Sequence, residues 1–152
     1  MPGKIAENTK LSAMFLPERL TSAAVYWNGA AITTSTGVLL DTRDYDELHV
    51  AVGIGTILGE TATLSNALYE SATDDPTTLT LMTGASFTDR YSGNDESTEE
   101  GSVLVKNHKR YVGLRTEVTT TSSMPLTIDF TAIGILGKPD AAAVSKTLVF
   151  DL

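Results

Sequence analysis

Apolar and polar residues alternate with a period of two through much of this chain. In DELHVAVGI, 46–54, Leu48, Val50, Val52 and Ile54 fall on one side and His49, Ala51 and Gly53 on the other. That is the pattern of a half-buried strand. It recurs at 111–118, where Val112, Leu114, Thr116 and Val118 alternate with Tyr111, Gly113, Arg115 and Glu117. It recurs again in LTIDFTA, where Leu126, Ile128, Phe130 and Ala132 alternate with Thr127, Asp129 and Thr131. The next five residues, IGILG at 133–137, are apolar throughout, which predicts a bulge or burial on both faces. TSTGVLLDT (34–42), TATLSNALYES (61–71), TTLTLM (77–82) and SVLV (102–105) give further short strands.

Turn chemistry divides these strands. Asn28-Gly29 inside VYWNGAAI marks a tight hairpin, because both residues accept positive φ. Asp74-Asp75-Pro76 ends the strand at 61–71 and returns it into 77–82. Residues 84–102, GASFTDRYSGNDESTEEGS, are polar and acidic and predict a long surface loop. Residues 1–20 form a lead-in arm. There Asn8-Thr9 either caps a short helix carrying Leu11, Met14 and Phe15 before Pro17, or the segment is extended. The division is an arm at 1–20, a domain at 21–138 and a tail at 139–152 that ends on a small apolar cluster. About eight closely spaced strands and no long helix predict an all-β fold. The expected architecture is a jelly-roll-like β-sandwich of antiparallel strands with extended N- and C-terminal arms.

Composition narrows the function. The 152 residues suit one domain, and 41% hydrophobic content supports a core. A formal net charge of −8 argues against a nucleic-acid partner bound by phosphate neutralisation. The absence of cysteine excludes disulfides and thiolate metal sites, and two histidines leave little for zinc. No apolar run of about 18 residues predicts a membrane span, so no membrane partner is expected. The first residues lack a leader's apolar core, so the protein is expected to act where it is made, or in a particle assembled there.

No motif predicts catalysis. GIGTILG at 53–59 superficially resembles a phosphate loop, but it lacks the Lys-Ser/Thr ending and runs into a strand, so its glycines predict a loop or bulge. Asp89, Asp95, Glu96, Glu99 and Glu100 do not match a calcium-loop spacing. His49, within a strand, predicts a hydrogen-bonded structural role, His108 an exposed one, and Asp129 a place facing solvent or a neighbouring subunit. No catalytic, cofactor-binding or metal-binding residue is expected, and no cofactor.

The chain is acidic, yet Lys106, His108, Lys109 and Arg110 cluster in KNHKRYVGLRTEV. Such charges guard a sheet edge, or meet an acidic neighbouring protein. Lys106, Lys109 and Arg110 are therefore candidate contacts. Met14, Phe15 and Leu16 in the arm, and Leu148, Val149, Phe150 and Leu152 in the tail, are candidates of another kind. Apolar chain ends pack on their own domain or bury themselves in a neighbouring subunit, and repeated arms stabilise a lattice by multivalency.

Three stretches resemble a known family. TSTGVLLD (34–41), ALYESATDDPTT (67–78) and KRYVGLRTEVTTTSSMPLTIDFTAIGILGKP (109–139) resemble segments of the capsid cement, or decoration, proteins of tailed bacteriophages, small jelly-roll type. The resemblance spans roughly 34–139 and rests on strand and turn patterns. The chain departs from it in a longer lead-in, a larger segment at 84–102 and an extra tail after Pro139. The resemblance implies a virion protein on the capsid exterior, assembled in the host cytoplasm. Its implied partners are the major capsid protein and itself, as a homodimer or homotrimer. Other phage parts (a head–tail connector, a tail or fibre domain) and a carbohydrate-binding jelly roll are the competing readings.

Overall fold

The computed structural model describes residues 9–28, 30–31 and 39–137. Eleven strands lie among them: β1 Thr9–Leu20, β2 Ala24–Trp27, β3 Ala30–Ala31, β4 Leu40–Asp41, β5 Glu47–Leu58, β6 Thr63–Ser71, β7 Thr80–Ser86, β8 Arg90–Tyr91, β9 Ser97–Val103, β10 Tyr111–Thr119 and β11 Thr127–Gly137. Three of them are only two residues long, which leaves eight of substantial length. The strands pair antiparallel in two sheets. The first sheet has the order β1-β11-β5-β9. The second has the order β3-β2-β10-β6-β7, with β4 also on β10 and β8 on β6. The chain is an all-β, jelly-roll-like sandwich.

The alternating strands supply the core. β5 buries Leu48, Val50, Val52 and Ile54, and its neighbour β11 adds Ile128, Phe130, Ala132 and Leu136 to the same inner face. The second sheet answers with Leu64 and Leu68 of β6 and Val112, Leu114 and Val118 of β10. Among these apolar groups the Thr116 hydroxyl donates to Asn66 Oδ1 at 2.8 Å. The opposite side of β10 is covered too. Trp27 packs edge-on to Tyr69 with ring centroids 4.9 Å apart, and Gly113 lies under Leu39 and Trp27. Tyr26, next in the chain, points to the core and meets Phe15.

The turns follow the expected chemistry. Trp27 pairs with Ala30, so β2 and β3 form the hairpin centred on 28–29, with Asn28 at φ 45°. Asp75 accepts from the Thr77 amide and caps the short 3-10 turn Pro76–Thr78 that leads into β7. The glycines of GIGTILG divide. Gly53 and Gly55 lie in β5, which bulges between Ile54 and Ile57, while Gly59 turns the chain at φ 134°.

Several expectations are corrected. Residues 9–20 are extended but not a free arm. They form β1, hydrogen-bonded along β11 from Thr9↔Gly137 to Leu20↔Ile128, with register shifts between Ala13 and Glu18. Those shifts turn both Met14 and Phe15 inward, and the Thr131 hydroxyl donates to the displaced Phe15 carbonyl at 3.0 Å. Residues 84–102 are not one long loop. They hold the end of β7, all of β8 and most of β9, whose polar sequence suits an edge strand. Residues 133–137 show neither bulge nor two-sided burial: Gly134 and Leu136 point inward and Ile133 and Ile135 outward. The reason lies at Gly134, where an added Cβ would come within 2.9 Å of Met14 Sδ, so a side chain from β1 takes the inward place. Of the strand expected at 34–42 only Leu40–Asp41 is a strand among the described residues. The tail, with Leu148, Val149, Phe150 and Leu152, lies outside the described residues.

Candidate interaction surface

The first sheet has one face in the core and one that is free among the described residues. Register places three rows across the free face: Leu11–Ile135–His49–Ser102, then Ala13–Ile133–Ala51–Glu100, then Thr131–Gly53–Thr98. The β1 and β11 side of this face is an apolar ridge. Leu11 is 70% exposed, Ile133 is 38% exposed, and Ile135 is half-buried. Leu16, in the irregular part of β1, is also 70% exposed. β1 is the edge strand beside the ridge, and among the described residues nothing pairs with its other side.

The β5 and β9 side is polar. His49 Nδ1 lies 2.8 Å from Ser102 Oγ and His49 Nε2 lies 3.2 Å from Glu100 Oε2. Serine, imidazole and carboxylate have the composition of a proton relay. Acyl transfer also needs hydrogen-bond donors aimed at a developing oxyanion and a concave site to hold substrate. These side chains stand on the outer face of β5 and β9, and none of them lines the depression over Pro17, Arg19, Gly53, Gly55 and Asp129. The bonds of the trio tie β9 to β5.

At that depression Arg19 grips Asp129, with Nε to Oδ1 at 2.8 Å and Nη2 to Oδ2 at 3.2 Å. The Arg19 hydrogen bonds hold the Asp129 carboxyl below the usual carboxylate range. Gly55 makes room for this pair, since a Cβ there would sit 3.0 Å from Asp129 Cβ. Among the described residues no three His, Cys, Asp or Glu side chains converge as metal ligands.

Four of the five acidic residues of 84–102 have partners within the chain, Glu100 through His49 as above. Asp95 Oδ2 accepts from the Ile57 amide at 2.7 Å, and Glu96 from the Thr56 hydroxyl. Glu99 accepts from Arg90 and from Thr88. The basic cluster is likewise largely balanced. Arg110 binds Asp41 through two bonds, His108 Nδ1 lies 2.9 Å from Glu70 Oε2, and Lys109 Nζ donates to Thr80. Lys106 is exposed on the short turn Val105–Asn107.

The structure thus separates the predicted contact residues. Met14 and Phe15 sit in the chain's own core, each 1% exposed, while Leu16 faces outward. Lys106 lies on the turn beside Asp46, Lys109 reaches Thr80 of β7, and Arg110 is a partner of Asp41. The ridge of Leu11, Ile133 and Ile135 was not singled out by sequence reasoning. An apolar run hides which of its residues face outward, and only continued alternation through 133–137 exposes the signal.

No protein-family model matches this chain, and no curated protein matches it. Solved structures do share the fold. In the crystal structure of the infectious bursal disease virus VP2 subviral particle, the matching chain aligns with 86% of this one at 9% identity and TM-score 0.55. The structure of the Gx strain of that virus aligns with 86% at 7% identity and TM-score 0.51. This chain spans about a third, 32%, of the length of each. At such identities the likeness is one of fold.

Proposed function

We propose that this chain is a structural protein of a virus particle, and more narrowly a cement protein on the outside of a phage capsid. In this reading it binds the major capsid protein, associates with itself as a dimer or trimer, and bridges neighbouring coat subunits. It joins the shell after assembly in the host cytoplasm and needs no catalytic group or cofactor. The observation that carries the reading is the free face of the first sheet. Its exposed ridge of Leu11, Ile133 and Ile135 lies on a rigid sandwich, with Leu16 beside it. Contiguous exposed apolar residues mark protein contact surfaces, and closed symmetry repeats a modest contact many times. The fold shared with chains of a viral particle is consistent with this role. A sugar-binding module is less well supported, because Trp27 is only 6% exposed and packs on Tyr69 instead of forming a platform.

Quantitative mass spectrometry of purified particles from the source tests the proposal. A simple ratio to the coat subunit, amounting to hundreds of copies, supports cement. About a dozen copies moves the chain to a connector or tail, and absence from the particle overturns any virion role.

A further inference from the structure

His49, Ser102 and Glu100 are brought together by the pleat of two paired strands. His49 of β5 lies directly opposite Ser102 of β9, and Ala51 lies opposite Glu100. Residues two apart on a strand share a face, so Ser102 and Glu100 both reach the imidazole from β9. Nδ1 meets Ser102 Oγ at 2.8 Å and Nε2 meets Glu100 Oε2 at 3.2 Å. On its other side the ring has Ile135 of β11 as its cross-strand neighbour, which offers no polar side chain.

These partners fix where the ring keeps its hydrogen. An ionised carboxylate only accepts, so Nε2 of the neutral ring carries the hydrogen and donates to Glu100. Nδ1 is then left with its lone pair, and the Ser102 hydroxyl donates to it. A hydroxyl bonded to an oriented base, itself held by a third group, is the arrangement of an activated nucleophile. All three side chains are open to reagents in solution. The trio lacks donors for an oxyanion and a pocket for a substrate, which turnover of an ordinary ester requires. An acyl donor with a good leaving group can react once without either.

The geometry points to Ser102 as a site of covalent acylation by activated esters and thioesters, with His49 as general base and Glu100 as the residue that positions it. Ser102 Oγ attacks the acyl carbonyl carbon while its proton passes to His49 Nδ1. The bond from that carbon to the leaving oxygen or sulfur breaks, and the leaving group departs as an alkoxide, phenolate or thiolate. His49 then gives the proton to water, and an acyl ester remains on Ser102. Without oxyanion donors that ester is slow to hydrolyse, so the modification accumulates. This inference stands apart from the virion role and holds whether or not the chain binds a capsid.

Acetylation of the full chain by p-nitrophenyl acetate tests it, with an acid quench and fragmentation of the tryptic peptide Tyr91–Lys106. That peptide also holds the exposed Ser92 as an internal reference. The expected result is at least about tenfold more acetyl on Ser102 than on Ser92, within the roughly 10²–10⁴-fold that a positioned base contributes. His49→Gln keeps a side chain able to bond Ser102 and Glu100 but removes the base, and should bring Ser102 down to the level of Ser92. Lysine acetylation does not pass through His49 and should stay equal in the two proteins. Nitrogen NMR of the His49 ring in mildly alkaline solution should show the hydrogen on Nε2. Glu100→Gln, whose amide can donate as well as accept, should move part of it to Nδ1 and lower the labelling. If His49→Gln fails to fold, the ring tautomer and the ratio of Ser102 to Ser92 in the parent decide. Equal acetylation of Ser102 and Ser92, undiminished acetylation in a folded His49→Gln, or an Nδ1–H ring in the parent overturns the inference. An unmoved tautomer in Glu100→Gln overturns the part given to Glu100.

Discussion

Arg110 holds Asp41 through two parallel bonds, Nε to Oδ1 at 2.9 Å and Nη2 to Oδ2 at 2.6 Å. The pair joins the start of β10 to β4, where the Thr42 amide and hydroxyl also bond the Arg110 carbonyl at 2.9 and 2.7 Å. Arg110 is thus a clasp between strands, and its paired geometry suits arginine over lysine. Among the described residues the side chains of its neighbours Lys106 and Lys109 pair with no acid, although the Lys109 amide donates to Glu70 Oε2. Changing Arg110→Glu sets a carboxylate against Asp41 and should lower the thermal midpoint of the free protein. The Lys106→Glu/Lys109→Glu variant should melt as the parent does. If the patch meets an acidic coat surface, that variant loses co-sedimentation with capsids at low salt. Undiminished binding would remove these lysines from the contact.

Asp95 does for the bulge in β5 what a partner strand does elsewhere. Its Oδ2 accepts from the Ile57 amide at 2.7 Å, and Ile57 is only 1% exposed. Asp95→Ala leaves that donor without its partner, at a cost of about 1–3 kcal/mol. Urea unfolding of the two proteins measures it. A loss near zero would mean that the bulge reorganises.

The Thr116–Asn66 bond lies within the core, with both residues almost fully buried and Asn66 Nδ2 lacking a protein partner among the described residues. Thr116→Val should therefore destabilise by about 1–3 kcal/mol, because it strands the Asn66 amide. Adding Asn66→Leu should recover most of that loss, because matched apolar replacement removes both unpaired groups. A double-mutant cycle in denaturant reads the coupling. Additive losses would contradict a cooperating pair.

Acid should weaken the fold through two exposed carboxylates. Asp129 is lowered by its hydrogen bonds from Arg19, and Asp75 by those from the Thr77 hydroxyl and amide. A folded-state pKa below the unfolded one stabilises above the unfolded value, near 4, and that stability disappears as pH falls through the folded value. Denaturation midpoints should hold from pH 7 to about 5 and decline below about 4. Asp129→Asn should flatten part of that decline and make it less sensitive to salt, since an exposed ion pair is screened. An unchanged acid slope in this variant would show that Arg19 binds Asp129 too weakly to matter.

The ridge offers a direct test of the surface. Ile133→Asp places a charge on the free face without touching the core, so the thermal midpoint should move by no more than about 2 °C. Capsid co-sedimentation should fall at least about tenfold if this face is the contact. Full binding by the variant would transfer the contact to another face.

What the sequence alone determined is the alternation. Leu48 to Ile54, Val112 to Val118 and Leu126 to Ala132 name their own inward residues, because a period of two leaves only one face to bury. Asn28 and Asp75 likewise name their turns, because Asn28 accepts the positive φ of its bend and Asp75 caps its own turn through the Thr77 amide. Tertiary structure decided what depends on partners distant in sequence. The polar run at 97–103 became an edge strand only because β5 offered it backbone bonds, which composition does not reveal. Met14 and Phe15 entered the core through an irregular pairing with β11 more than a hundred residues away, and Leu16 was left outside. Asp41 and Asp95 found Arg110 and the Ile57 amide in the same way. A charge or a free edge is given its role by what the fold brings beside it, and sequence order carries no record of that distance.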